Sequence, residues 1–127
     1  MTQKKSKWAI WEDKYCKRVH MGLFDYTFIV AIFNDIKIIE QYVAWKFDSF
    51  PPPDDYADVA LGRTYHRTGY VPIIWIPKKP KTAKEWGTLA HEACHGVHHL
   101  FDWTGMKINQ DTDEVFAHAV KRIVEAV

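Results

Sequence analysis

The strongest constraint on the fold is one stretch, Thr82 to Gly105, that carries its own start signal, its own stop signal and one helical pattern between them. Thr82-Ala83-Lys84-Glu85 has the form of a capping box, in which the threonine hydroxyl accepts from the Glu85 amide and the glutamate carboxylate reaches back to the Thr82 amide. Gly105 supplies the left-handed residue that commonly follows a helix. Between them, at about 100° per residue, Trp86, Leu89, Ala90, Ala93, Val97 and Leu100 gather on one side, and His91, His95, His98 and Asp102 on the other. A helix over 83–104 therefore has one face to bury and one polar face free for chemistry.

The remaining elements follow from local pattern. Tyr26 to Phe33 is apolar, β-branched and aromatic, which predicts a buried strand, and Asp35 then caps a helix over 36–47 whose apolar residues Ile36, Ile39, Tyr42, Val43 and Phe47 share a face. Pro51-Pro52-Pro53-Asp54-Asp55 ends that helix in an extended turn. Val59 to His66 and Tyr70 to Pro77 read as a hairpin across Arg67-Thr68-Gly69, and Pro72, lacking a ladder donor, puts the second strand, or the affected side of it, at the sheet edge. Asp111 or Thr112 opens a last helix reaching nearly to Val127. The expected order is β-α-β-β-α-α in one α+β domain over 1–127, with a small mixed or antiparallel sheet.

Composition excludes several classes. Hydrophobic residues make up 47% and charged residues 26%, a globular balance. Seventeen basic residues against sixteen acidic ones leave a formal charge of +1, too weak a field to favour nucleic acid or an anionic membrane, so neither is an expected partner. The basic cluster Lys4, Lys5, Lys7, Lys14, Lys17 and Arg18 reads as a solvated, partly flexible segment over 1–20. Cys16 and Cys94 form no CxxC pair, so no disulfide framework is expected. Without a secretory apolar segment or a run of about 18 apolar residues, the expected location is the cytoplasm.

His91-Glu92-Ala93-Cys94-His95 is the segment that carries chemistry. Histidines four apart on a helix leave the same face about one turn from each other, where both imidazoles can bind one zinc ion (Zn2+). Glu92 projects about 100° round, beside the metal rather than on it, where its carboxylate can hold and deprotonate the attacking water. With 7 His in the chain, an accidental match has a chance of about 2%, low enough that the helical context decides the matter. A hydrolytic zinc centre takes three protein ligands and keeps one position open. Glu114 lies 18 residues beyond His95 and is the first choice for the third. His118, four residues later on the same face, either orients a ligand or replaces Glu114, and Asp113 is a further choice.

Tyr65, His66, Arg67 and Tyr70, around the expected hairpin, are the candidates for a donor that polarises the substrate carbonyl. His98 lies about 10 Å along the helix from His91, too far for one straight helix to aim all three histidines at one ion. It reads as a rim residue together with His99 and Asp102. Cys94 reads as a small buried thiol.

The spacing HExxH-x18-E, formed by His91, Glu92, His95 and Glu114, resembles that of the gluzincins, the zinc peptidases that include the thermolysin-like enzymes and the zinc aminopeptidases. The resemblance covers roughly 70–127 and is closest to the small single-domain minigluzincins. TLAHEACHGVHH followed by DTDEVFAHAV also looks like small HExxH proteins of tailed bacteriophages, with His118 where those carry a tyrosine. The approach to the helix resembles that of ImmA/IrrE-type regulatory peptidases, though no helix-turn-helix accompanies it. The resemblance implies a zincin-like domain, with the sheet packed on the metal helix and the glutamate helix. It further implies zinc-dependent hydrolysis of peptide bonds, with a peptide or protein substrate paired along the strand at Tyr70 to Pro77. The alternatives are a zincin-fold binding or assembly module, as in a phage particle, and a regulatory peptidase with one protein substrate. A phage-encoded chain would act in the host cytoplasm.

Overall fold

The chain runs α1 (Lys7–Tyr15), β1 (Cys16–Met21), β2 (Tyr26–Ile32), α2 (Ile36–Lys46), β3 (Arg63–Tyr65), β4 (Ile73–Ile76), α3 (Ala83–Thr104) and α4 (Asp113–Ala126). This order comes from a computed structural model, which describes residues 6–22, 25–48 and 61–127. The strands form one mixed sheet in the order β1-β2-β4-β3, with β1 antiparallel to β2, β2 parallel to β4, and β3 antiparallel to β4. The expected turn at 51–55 and the first residues of the expected strand from Val59 lie outside the described residues.

The two central strands are the chain's most continuous apolar runs because both of their faces are covered. Phe28, Val30, Ile74 and Ile76 turn to the layer holding α3 and α4, where they meet Leu89, Ala93, Val97, Leu100, Phe101 and Ile123. Ile29, Ala31, Ile73 and Trp75 turn the other way, to Ile39, Tyr42, Val43 and Phe47 of the α2 segment. Parallel pairing of β2 with β4 needs a long crossover, and α2 lies within it. Among the described residues no helix is long and apolar enough to cross a membrane.

Three expectations need correction. The N-terminal segment is built into the fold: α1 and β1 occupy 7–21, so the order is α-β-β-α-β-β-α-α. Aromatic packing is the reason, for Trp11 sits 4.9 Å from the Tyr42 ring and 5.3 Å from Phe33, with Trp8 beside both Trp11 and Tyr42. Next, the strand within Tyr70 to Pro77 is not at the edge, because β2 and β3 flank β4. Pro72 precedes the strand, so it withholds no donor from the ladder, and among the described strands the one at this edge is β3. Last, Trp86 is exposed, and the buried face of α3 consists of Leu89, Ala93, Gly96, Val97, Leu100 and Phe101.

Glu12, on α1, is buried at 4% exposure among these aromatics. Its carboxylate accepts from Tyr42 Oη at 2.6 Å, pairs with Lys46 Nζ at 2.7 Å, and also meets Arg18. Burial alone would raise its pKa, but Lys46, Tyr42 and Arg18 together outweigh burial and hold the group below the usual carboxylate value. Glu12→Ala should therefore cost about 2–3 kcal/mol in urea unfolding at pH 7, since it strands the buried Tyr42 hydroxyl. A folded pKa below the unfolded one gives stability that is complete above the unfolded value. The gap between wild type and variant should therefore narrow as pH falls through the depressed folded value, without vanishing, because a protonated Glu12 can still accept from Tyr42.

Candidate metal centre and cleft

The signals that start and stop α3 in the sequence do so in the structure. Thr82 Oγ1 accepts from Glu85 N at 3.2 Å, Glu85 Oε1 accepts from Thr82 N at 3.1 Å, and Gly105 ends the helix at φ 74°. Glu85 also pairs with Lys78 at 2.9 Å; that bond and the amides of Lys81 and Thr82 hold its pKa down at about 2. The depth at which α3 lies on the sheet is set by Gly96. A Cβ there would stand 3.2 Å from Phe28 and 3.3 Å from Ile74, so a side chain would require those two, or the helix, to give by a few tenths of an ångström. With that face against the sheet, His91 and His95 point to solvent.

The two imidazoles converge. His91 Nε2 and His95 Nε2 stand 3.2 Å apart, with ring planes at 80°. Two nitrogens bound to one tetrahedral zinc, each at about 2.0–2.1 Å, would be about 3.3 Å apart, so the pair fits two of the metal's ligand positions. Glu92, on the neighbouring face, is half-buried against β3, where Thr64 Oγ1 lies 2.8 Å from its main-chain oxygen and 3.0 Å from its Oε1.

Glu114 is not brought to this pair. It is exposed, 3.5 Å from His118, and both line a separate groove with Met21 and Leu100. The rotation of α4 explains this. Phe116 packs on His98 and Phe101 at ring distances of 5.1 and 5.5 Å, and Ala119 and Ile123 are buried. Glu114 is two residues from Phe116, about 200° round the helix, so it lies on the other side of α4 from the contact with His98 and Phe101. Among the described residues no group of three or more His, Cys, Asp or Glu stands close enough to hold a metal ion. The apolar stripe Phe116, Ala119, Val120 and Ile123 is the sequence signal for this rotation, and it places both Glu114 and His118 on the outer face.

A cleft runs between β3 and α3, lined by Gly62, Arg63, Thr64, His66, Glu92, His95, His98, His99 and Asp102. Of the four carbonyl-polarising candidates, only His66 lies on its wall, its ring 4.6 Å from that of His99. Tyr65 is buried under the Arg63 guanidinium. Arg67 donates to the main-chain oxygens of Phe47 and Asp48. Tyr70 packs on Phe47 and lines a second hollow with Tyr26 and Trp103, which His99 also borders. Burial, reinforced by His66 and opposed by Asp102, pushes the His99 pKa below its usual value, so its ring favours the neutral form. Cys94 is half-buried and burial pushes its thiol up, in keeping with an unreactive side chain. Sequence reasoning missed Thr64, whose neighbour Glu92 is 28 residues away and carries no local signal.

Compared with models of protein families, with curated proteins and with solved structures, the chain matches none.

Zinc titration should separate the candidate ligands. Loss of a ligand's outer partner alone costs about 10–100-fold in affinity. His91→Ala and His95→Ala should therefore each lower zinc affinity more than about 100-fold, while Glu114→Ala leaves it within about threefold.

Proposed function

We propose that this chain is a zincin-type, zinc-dependent peptidase that hydrolyses peptide bonds with Glu92 as general base. The observation that carries the reading is the convergence of His91 and His95 to 3.2 Å, next in sequence to a glutamate that lines an open cleft together with His95. A lone structural pair of histidines would need no carboxylate at that place. Zinc, when bound, would polarise the substrate carbonyl and acidify the attacking water. Glu92 takes the proton from that water and returns it to the leaving amine. His66, which lines the same cleft, is the candidate to donate to the carbonyl oxygen as charge develops there. Among the described residues β3 pairs with β4 alone, so its other edge is the one that would take an extended peptide as a further strand.

The second reading is a metal-binding or assembly module without turnover. The outward-facing Glu114 favours it, because the donor expected to complete a hydrolytic centre stands elsewhere.

Zinc content and cleavage of a random peptide library, measured on wild type and Glu92→Gln, separate the two. The peptidase reading predicts about one zinc per chain in both proteins, with cleavage lost at least 100-fold in the variant. Zinc in both with no cleavage by either supports the module. A wild type that takes up no zinc contradicts both.

A further inference from the structure

A carboxylate that must take a proton from water has to be held in place, and a glutamate turns freely about several side-chain bonds unless something grips it. The short segment at the start of β3 supplies two grips on Glu92. One is the Thr64 hydroxyl, 3.0 Å from Oε1 and 2.8 Å from the main-chain oxygen of the same residue. The other is the backbone at Gly62. A Cβ there would lie 3.3 Å from Glu92 Cγ and 2.9 Å from Thr88 Cγ2, so the main chain passes directly against the glutamate stem. No hydrogen bond from a described residue reaches Oε2.

We propose that Thr64 is a positioning residue: its hydroxyl fixes Oε1 of Glu92 and leaves Oε2 for the attacking water. The inference rests on the peptidase reading for its consequence, but not for its geometry. A threonine hydroxyl offers one proton and two lone pairs. It can donate to Oε1 of the ionised carboxylate, and once Oε2 has taken the proton it can still donate to Oε1, now the carbonyl oxygen of the acid. The contact therefore persists on both sides of the proton transfer. Valine has the same shape and cannot donate; serine can.

The test uses the full chain as wild type, Thr64→Val, Thr64→Ser and Glu92→Gln, each checked for zinc content and thermal unfolding. Misplacing a catalytic group by about 1 Å costs on the order of 100-fold in rate. Thr64→Val should thus lower kcat by about 10–100-fold with KM within about threefold and zinc content unchanged, and Thr64→Ser should restore kcat to within about threefold. A full kcat in Thr64→Val, or a serine variant no better than valine, overturns the proposal while leaving the peptidase reading intact. Crystal structures of wild type and Thr64→Val decide the same point without turnover. Glu92 should keep one side-chain position in wild type and lose it in the variant. An unmoved Glu92 carboxylate in Thr64→Val overturns the proposal even if the wild type proves inactive on peptides, an outcome that would count against the peptidase reading separately.

Discussion

The seating of α3 on the sheet is the contact on which the rest of the structure depends. Leu89, Ala93, Val97, Leu100 and Phe101 are buried to 2% exposure or less, and Gly96 lets the helix approach Phe28 and Ile74 as closely as a bare backbone can. Burying each of the larger side chains is worth about 1.5–3 kcal/mol, more than any surface contact of this helix can supply. Once that face is committed, helical geometry sends His91 and His95 outward together and turns Glu92 toward β3. The cleft is thus a consequence of packing at Leu89, Gly96 and Val97, residues that take no part in it.

The other side of the sheet is held differently. There an aromatic layer of Trp8, Trp11, Tyr15, Phe33 and Tyr42 closes over Ile29, Ala31, Ile73 and Trp75, with the Glu12 carboxylate buried in its midst. A buried charge is tolerated only where several donors meet it, and Lys46 and Tyr42 from α2 and Arg18 from β1 do so. Tyr42 and Cys16 beside it have their pKa values pushed up, chiefly by burial, with Cys16 at about 12. This network ties α1, β1 and α2 to one another. The segment first read as a solvated tail is therefore a covering layer for the sheet.

What could be read from the sequence was what local chemistry decides. Asp35, Thr82, Glu85 and Gly105 mark helix ends through bonds to residues two to four positions away, and each acts in the structure as it reads in the sequence. The apolar runs of β2 and β4 were equally plain. Pairing partners were not, because whether a strand lies at an edge depends on residues far along the chain; Pro72 misled for that reason. The helix at 7–15 was hidden because its lysines suggested solvent while the partners its two tryptophans find beyond the helix, Phe33 and Tyr42, lie far along the chain. At the candidate centre, the histidine pair was legible from a spacing of four. The direction of Glu114 was not legible from its spacing to His95, since the rotation of α4 is fixed by Phe116, Ala119 and Ile123.

His91 and His95 as ligands of one zinc ion is the claim from which the functional reading follows. X-ray absorption at the zinc edge of the zinc-loaded chain tests it most directly, because it counts imidazoles around the metal without reference to activity. The account predicts scattering from two imidazole nitrogens at about 2.0–2.1 Å, with the remaining positions filled by oxygen, and loss of one imidazole in His95→Ala. A sulfur shell at about 2.3 Å, or a spectrum unchanged in His95→Ala, would contradict it.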